Sequence, residues 1–166
     1  MFIAHLPAGY LLTRAIQNRF KVNWFFWVGL LASVLPDFDL LYFYLIDHRQ
    51  TLHHEYITHL PLFWLAVWAA ALIVAPLMKR QEYLVVTTIF FSNIFLHLLL
   101  DTVVGGVAWL YPFSQQSFEL AVVPATHDFW VWSFVFHRSF LLELVIILVA
   151  AYMLFYHVRS RYGARV

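Results

Sequence analysis

The sequence has 166 residues, of which 63% are hydrophobic and only 11% are charged, with a formal net charge of +1. A water-soluble domain of this size has about 45–50% apolar and about 25% charged residues, so this composition excludes most soluble globules and predicts a chain surrounded largely by lipid. The small net charge disfavours nucleic-acid binding, and the absence of cysteine excludes disulfides, thiolate metal sites and thiol nucleophiles.

The first third of the chain is expected to form a helical hairpin that enters and leaves the membrane. Residues 7–20 predict one short helix, and residues 24–35 predict a second one that Pro36 ends. The alternative is a single span over residues 24–46 that is broken at the proline. The two interpretations place the acids that follow the proline at different depths.

Three longer apolar stretches predict helices that cross the membrane, over residues 60–78, over residues 83–100 and between Arg138 and Arg159. Each is long enough, at a rise of about 1.5 Å per residue, to cross most of a hydrocarbon layer of about 30 Å. We therefore predict an all-α, polytopic membrane bundle of about five membrane helices, with short interfacial or re-entrant helices. The whole chain, residues 1–166, is expected to form one domain.

Basic residues indicate the orientation of this bundle, because Lys and Arg near the ends of spans mark the cytoplasmic side. The predicted topology leaves Arg49 and Arg138 on the outer side, with residues 37–59 and an interfacial cover formed by residues 102–138. The basic residues on the other side are Arg14, Arg19, Lys21, Lys79, Arg80, Arg159, Arg161 and Arg165.

The same topology, drawn without using the histidines, gathers most of the His and Asp residues at the outer end. His97 and Asp101 are four residues apart on one helix, so both side chains share a face, and Asp37 and Asp39 lie at a helix break. The other candidate metal ligands are His5, His48, His53, His54, His59 and His137.

Imidazole and carboxylate groups without any thiolate suit Zn²⁺, Mn²⁺ or Fe²⁺, so we predict one or two divalent ions, with zinc as the first choice. Structural alternatives remain open for single residues. Asp37 can cap a new helix, and the cluster of four histidines can be solvated or sense pH. His137 and Glu143, six residues apart, do not share one face of the last helix.

A carboxylate that bridges two ions is typical of sites that cleave esters by displacement, and Asp39 or Asp101 can take that place. Arg49 is a candidate for holding an anionic substrate or the charge that develops on it. Asp47 and Glu55 are candidates for orienting metal-bound histidines. The candidate catalytic residues are therefore Asp39, Arg49 and Glu55.

At these residues the sequence resembles the YdjM-like bacterial inner-membrane metal-dependent hydrolases, a family described as LexA-binding and inner membrane-associated. The resemblance covers about residues 1–105 and implies a multi-pass protein of the inner membrane with a metal-dependent hydrolase site. It is carried by His5 with Gly9, by Leu35-Pro36-Asp37-Phe38-Asp39, by His48-Arg49 with His53, and by His97 with Asp101.

The sequence departs from this family at two points. Gln50 stands where the family has glycine after the His-Arg pair, and Leu52-His53-His54 stands where it has Thr-His-Ser, with Thr58-His59 further on. This leaves open which of His53, His54 and His59 binds metal. The His-x3-Asp pair is also similar to one in zinc-dependent phospholipases C, which implies phosphoester chemistry by analogy.

The function that we expect is an integral membrane metal-dependent hydrolase with an outward-facing site. Its substrate would be a phosphoester or related ester, with a lipid ester as one option, and its partners would be membrane lipids. Two alternatives remain. In a metal or proton carrier, the same residues would be successive binding positions along the transport path. A membrane interaction protein would bind metal without catalysis.

Overall fold

The computed structural model describes residues 1, 3–78 and 81–163. The described part of the chain contains helices, turns and one isolated β-bridge between Val107 and Phe118, but no strand. The prediction of an all-α fold is therefore confirmed. Three of the basic residues on which the predicted orientation depends, Lys79, Arg80 and Arg165, lie outside the described residues.

The helices follow the apolar stretches of the sequence. A 3₁₀ turn over Pro36–Phe38 separates α2 (Phe26–Ala32) from α3 (Asp39–Leu45), and Pro61 occupies the first position of α4 (Pro61–Val74). The first helix of the chain is α1 (His5–Phe20). Lys21 ends α1 in the left-handed conformation, with a φ of 54° and its N–H bonded to the Gln17 carbonyl. The α-helices of the described residues are α1 (His5–Phe20), α2 (Phe26–Ala32), α3 (Asp39–Leu45), α4 (Pro61–Val74), α5 (Gln81–Asp101), α6 (Trp130–Val135) and α7 (Phe140–Gly163).

Fewer helices are long and apolar enough to cross a membrane than the sequence predicts. Within the described ranges, α5 and the Phe140–Ser160 part of α7 are long and apolar enough, and α2 with the segment Pro36–Leu45 counts as a third span if this pair, bent by 56°, is one span. The prediction of about five spans is not confirmed. The predicted 60–78 span becomes the shorter α4 and a 3₁₀ turn over Ala75–Met78.

Three helix ends meet at one end of the molecule, here called the site end. Asp101, the last residue of α5, lies 3.1 Å from His5, the first residue of α1. Ile3 donates its N–H to Glu143 in the first turn of α7 at 2.9 Å. Because α1 and α7 start here and α5 ends here, their other ends lie at the opposite end, here called the basic end.

A loop between α5 and α6 folds back on itself immediately after Asp101. Val107 and Phe118 exchange both of their backbone hydrogen bonds, and the N–H of Leu120 bonds to the Thr102 carbonyl at 2.9 Å. The indole N–H of Trp109 bonds to the Thr102 hydroxyl at 2.9 Å. Residues 102–121, here called the 102–121 hairpin, therefore have a well-bonded base beside the site end.

Candidate metal centre

The site end brings together eight of the residues that the sequence singles out. They come from α1, from the Pro36 turn and the start of α3, and from the last turns of α5. The others lie in two 3₁₀ turns before α4, His53–Glu55 and Ile57–His59. These residues are His5, Asp37, Asp39, His53, His54, His59, His97 and Asp101.

His97 and Asp101 form the buried centre of the group, each with about 1% of its surface exposed. His97 Nδ1 lies 2.9 Å from the Ser33 carbonyl oxygen, which can only accept, so Nδ1 carries a proton and donates it. Its Nε2 lies 3.0 Å from Asp101 Oδ2. In a neutral imidazole these two atoms are both acceptors, so a cation, either a proton or a metal ion, must lie between them.

The second carboxylate oxygen of Asp101 contacts the amino group of Met1 and the ring of His5. Oδ1 lies 2.6 Å from the amino group of Met1 and 3.1 Å from His5 Nε2. His5 also stacks on the His97 ring, with a centroid distance of 3.9 Å. His5 therefore packs against both Asp101 and His97, and its Nε2 is also hydrogen-bonded to the Met1 carbonyl oxygen at 3.1 Å.

Asp39 contacts the rings of two histidines through their Nδ1 atoms. Its Oδ2 lies 2.9 Å from His59 Nδ1, and its Oδ1 lies 2.9 Å from His53 Nδ1. The Thr58 hydroxyl donates a further hydrogen bond to Oδ2. A carboxylate on one ring nitrogen selects the tautomer whose other nitrogen can bind a metal, so the hydrogen bond from Asp39 orients the His59 ring.

Asp37 faces the Nε2 atoms of three histidine rings. Its Oδ1 lies 3.3 Å from His53 Nε2, 3.6 Å from His97 Nε2 and 3.9 Å from His59 Nε2. Asp101 Oδ2 lies 3.6 Å from His59 Nε2 and 3.9 Å from His54 Nε2. The two carboxylates therefore face a common set of imidazole nitrogens.

Two groups in this cluster have the spacing of metal ligands. Asp37, His59, His97 and Asp101 offer ligand atoms that lie within 4.8 Å of one another, and so do the three histidines of a second group, which shares His59 with the first and adds His53 and His54. The Nε2 atoms of His59 and His97 and the Oδ2 atom of Asp101 are buried without a hydrogen-bond partner. Leaving a buried acceptor unpaired costs about 1–3 kcal/mol, so these atoms fit a bound cation. The cluster could hold a metal ion.

The charge of the histidines in the turns before α4 depends on burial and on the two carboxylates. Burial lowers the pKa of His54 to about 4 and also lowers the pKa of His59, so both rings have free lone pairs at neutral pH. Burial acts in the same direction on His53, but its contacts with Asp37 and Asp39 raise its pKa to about 9. A metal ion bound by His53 would therefore displace a proton.

Four predicted site residues are not brought into this group. His48 and Arg49 are exposed in a turn that the Asp47 carboxylate closes by accepting the Thr51 N–H at 2.7 Å, and both have positive φ. The Arg49 guanidinium lies over the Tyr44 ring at 4.9 Å. The remaining two are Glu55, which is exposed, and His137, whose Nδ1 lies 2.8 Å from the Ser139 hydroxyl.

The carboxylates that contact the histidines also differ from those that the sequence predicts. The sequence assigns the orientation of histidines to Asp47 and Glu55, but Asp47 closes its own turn and Asp39 contacts the rings instead. The reason is distance along the fold: the Pro36 turn places Asp39 beside the two turns that carry His53 and His59, whereas Asp47 lies beyond α3.

Three residues that contact the site are not among the site residues that the sequence predicts. Ser33 acts through its backbone carbonyl, which no side-chain pattern reveals, and Thr58 acts through a single hydroxyl. Gly105 lies so close to His54 that an added Cβ would be 2.1 Å from the His54 Cε1 atom. The Gly105-Gly106 pair was the only signal of this third contact.

The comparisons with known proteins agree with the resemblance seen in the first part of the sequence and extend it. The family profile described as YdjM inner membrane protein matches residues 1–163. Neither the search of curated proteins nor the search of solved structures finds a match. Because this match covers nearly the whole chain, the chain belongs to the YdjM inner membrane protein family.

Proposed function

We propose that this chain is a multi-pass metal-dependent hydrolase of the inner membrane that cleaves a phosphoester or related ester carried by a lipid. The observation that carries the proposal is the set of buried, unpaired acceptor atoms on His59, His97 and Asp101. Oxygen and nitrogen donors without thiolate suit zinc first, with manganese or iron as alternatives. The two overlapping ligand groups provide for one or two ions.

The residues that would hold the first ion are Asp37, His59, His97 and Asp101, and those of the second group are His53, His54 and the shared His59. A divalent ion in such a site supplies Lewis acidity and makes water a stronger acid. The chain supplies the orientation: Asp39 aligns the ring of His59, and the Ser33 carbonyl fixes the tautomer of His97. Catalysis by this group requires that the donor atoms be aimed in advance.

A lipid substrate is supported by the 102–121 hairpin. The hairpin starts directly after Asp101 and has no charged residue before Glu119. Leu110 is 50% exposed and Phe113 is 88% exposed. Aromatic and uncharged polar side chains of this kind suit the headgroup region of a bilayer. An ester at headgroup depth would therefore lie close to the metal centre.

The orientation that we propose puts the site end outside. Arg14, Arg19, Lys21 and Arg159 lie in the halves of α1 and α7 that run toward the basic end, or just beyond them. Excess Lys and Arg mark the cytoplasmic side, so the site end would face the opposite side. In this arrangement α5 and α7 cross the membrane, and the bent α2–α3 pair and α4 complete a multi-pass bundle.

Metal content tests the first part of the proposal. The detergent-purified protein should carry one or two divalent ions per chain by inductively coupled plasma mass spectrometry. The double variant Asp37→Ala, His97→Ala should carry almost none, because it removes two of the four clustered ligands. His48→Ala, an exposed histidine outside both groups, should match the unmodified protein. Near-zero content in all three proteins would end the metal assignment.

Turnover tests the second part. Hydrolysis of phospholipids and model esters should fall on chelation and return with Zn²⁺ or Mn²⁺. A protein that binds metal but cleaves no substrate in a broad ester panel would contradict the hydrolase assignment and favour an interaction protein with a metal-binding site.

A carrier is the second candidate, and a buried polar stripe below the centre favours it. Asn93 donates to the Thr13 hydroxyl at 3.1 Å, and Gln17 donates to the Trp24 carbonyl at 2.6 Å. The stripe is closely packed, however, because an added Cβ on Gly9 would lie 2.3 Å from Ser33 Cβ. Metal or proton flux into liposomes, lost in the Asp37→Ala, His97→Ala variant, would establish the carrier.

A further inference from the structure

A cavity lies between α1 and α7, away from the metal centre. Its volume is about 340 Å³. Its polar lining combines one guanidinium, one amide, one imidazole and phenol groups from two neighbouring helices. The residues that supply them are Tyr10, Arg14 and Asn18 of α1 and Tyr152, Tyr156 and His157 of α7.

The cavity lies in the half of the molecule that runs toward the basic end. Arg14 follows His5 by nine residues along α1, which places it about 13.5 Å further along the helix axis. Tyr152 follows Glu143 by the same number of residues along α7, and both helices start at the site end. The cavity is therefore separate from the metal centre, and what it binds does not depend on the proposed hydrolase activity.

Arg14 is held in place by contacts that leave its charge unneutralised. Its guanidinium lies 4.1 Å from the centre of the Phe26 ring, and its Nη1 donates to Gln17 Oε1 at 3.1 Å. Its Nε is buried without a hydrogen-bond partner. No carboxylate of the described chain lies within ion-pair distance of Arg14. A positive charge that is fixed and only partly hydrogen-bonded in this position can take an anion as its partner.

The surroundings of the cavity favour a phosphate group on a lipid. A guanidinium presents a planar set of donors that matches phosphate oxygens, and the Asn18 amide and the tyrosine hydroxyls add neutral donors. Arg19, Lys21 and Arg159 are exposed toward the same end and add positive potential. Tyr152 and Tyr156 are 70% and 65% exposed, so the cavity is open on the outer face of α7.

We propose that this cavity binds the phosphate of an anionic phospholipid from the leaflet at the basic end. The phosphate bonds to Arg14 and Asn18, and the acyl chains lie along the exposed apolar face of α7, which includes Leu148 and Val149. An apolar face continuous with the cavity distinguishes a lipid from free phosphate as the occupant.

Native mass spectrometry of the full chain released from nanodiscs tests this proposal. The nanodiscs contain phosphatidylglycerol and phosphatidylcholine in equal amounts, and the probe is the retained phosphatidylglycerol adduct. We expect the adduct on the unmodified protein and on Arg19→Gln, an exposed arginine outside the cavity lining. Arg14→Gln should reduce it about tenfold or more, and Arg14→Lys, which keeps the charge but not the planar donors, should reduce it less.

Several outcomes would overturn the assignment. Equal adduct on Arg14→Gln and the unmodified protein would show that the cavity is not the lipid site, and equal losses in Arg14→Gln and Arg19→Gln would show attraction to general positive charge. Displacement of the adduct by inorganic phosphate would indicate a site for a soluble anion instead. The thermal transition of each variant in detergent shows whether it is folded, and Arg14→Lys serves as the test if Arg14→Gln does not fold.

Discussion

Asp39 contacts the histidines of the candidate metal centre without belonging to either group of residues with the spacing of metal ligands. It contacts the Nδ1 atoms of His53 and His59, each at 2.9 Å, and it accepts the Thr58 hydroxyl. Each ring is then left with Nε2 toward Asp37. The roles of Asp39 as a ligand, as a bridge and as a catalytic residue stay predictions, and its contacts in the fold are with histidine rings and with the Thr58 hydroxyl.

The Asp39→Asn substitution should weaken metal binding about 10–100-fold, because partners of this kind fix the orientation and basicity of the bound imidazoles. The measurement is competition with a chelator of known affinity on the purified protein. Asp47→Asn is the matched control, since Asp47 closes a turn outside the centre. Equal affinities for the two variants would show that Asp39 does not position the ligands.

Close approach of α1 and α2 connects the packing of the bundle to the metal centre. An added Cβ on Gly29 would lie 2.0 Å from Thr13 Oγ1 and 3.0 Å from Ile89 Cγ2, so three helices meet at this glycine. Small residues at such crossings let membrane helices pack closely. Ser33, one turn further along, supplies the carbonyl that holds His97.

Gly29→Ala should therefore destabilise the protein by about 1–3 kcal/mol, the usual cost of forcing extra atoms into a packed interior. The measurement is the thermal transition in detergent, and a lower metal affinity should accompany it as Ser33 moves away from His97. Ala151→Val, which adds atoms at an exposed position of α7, should leave both unchanged. A Gly29→Ala protein as stable as the unmodified one would show that α1 and α2 are not tightly packed there.

The 102–121 hairpin should enter the bilayer surface. Because the sequence contains no cysteine, Phe113→Cys can carry the only spin label in the chain. In nanodiscs we expect this label to be relaxed more by oxygen than by a water-soluble nickel complex, since oxygen concentrates in lipid. Gln50→Cys, in the exposed turn after α3, should give the opposite result. A Phe113 label with the accessibility of the Gln50 label would remove the support for a lipid substrate.

At the scale of the whole molecule, the charges are divided between the two ends. The clustered His and Asp residues lie where α1 and α7 start and α5 ends, and Arg19 and Lys21 lie at the far end of α1. This division predicts a single orientation in the inner membrane, with the metal centre outside.

Labelling with a membrane-impermeant maleimide tests the orientation. In intact cells stripped of their outer membrane, Gln50→Cys should react and Asn23→Cys should not, because these exposed residues lie toward opposite ends. Permeabilised cells should label both. The reverse pattern would place the metal centre on the cytoplasmic side.

The longer helices could be predicted because each follows from a local property of the chain. The apolar run after Pro61 and the break at Pro36 both appear where the sequence places them. The number of spans could not be predicted in the same way. Hydropathy does not distinguish a 23-residue apolar run that crosses the membrane from one that bends by 56° at a proline, because the bend depends on what the two halves pack against.

The ligand types of the metal centre were also readable in the sequence, but not their tasks. The sequence does not distinguish the roles of His53, His54 and His59, and only the fold shows that His59 belongs to both ligand groups. His48 and Arg49 carry part of the family resemblance, yet the Asp47 turn keeps them exposed.

The sequence by itself determined a helical membrane protein, and it predicted most of the His and Asp residues on one side and most of the basic residues on the other. The helices follow from composition and periodicity, which act within single elements, whereas the family followed from the resemblance of short motifs. The tertiary structure decided which atoms converge, which carboxylate contacts the rings, and which predicted residues are left outside. Those decisions depend on distances of 3–4 Å between elements far apart in the chain, such as His5 and Asp101, and local patterns do not contain them.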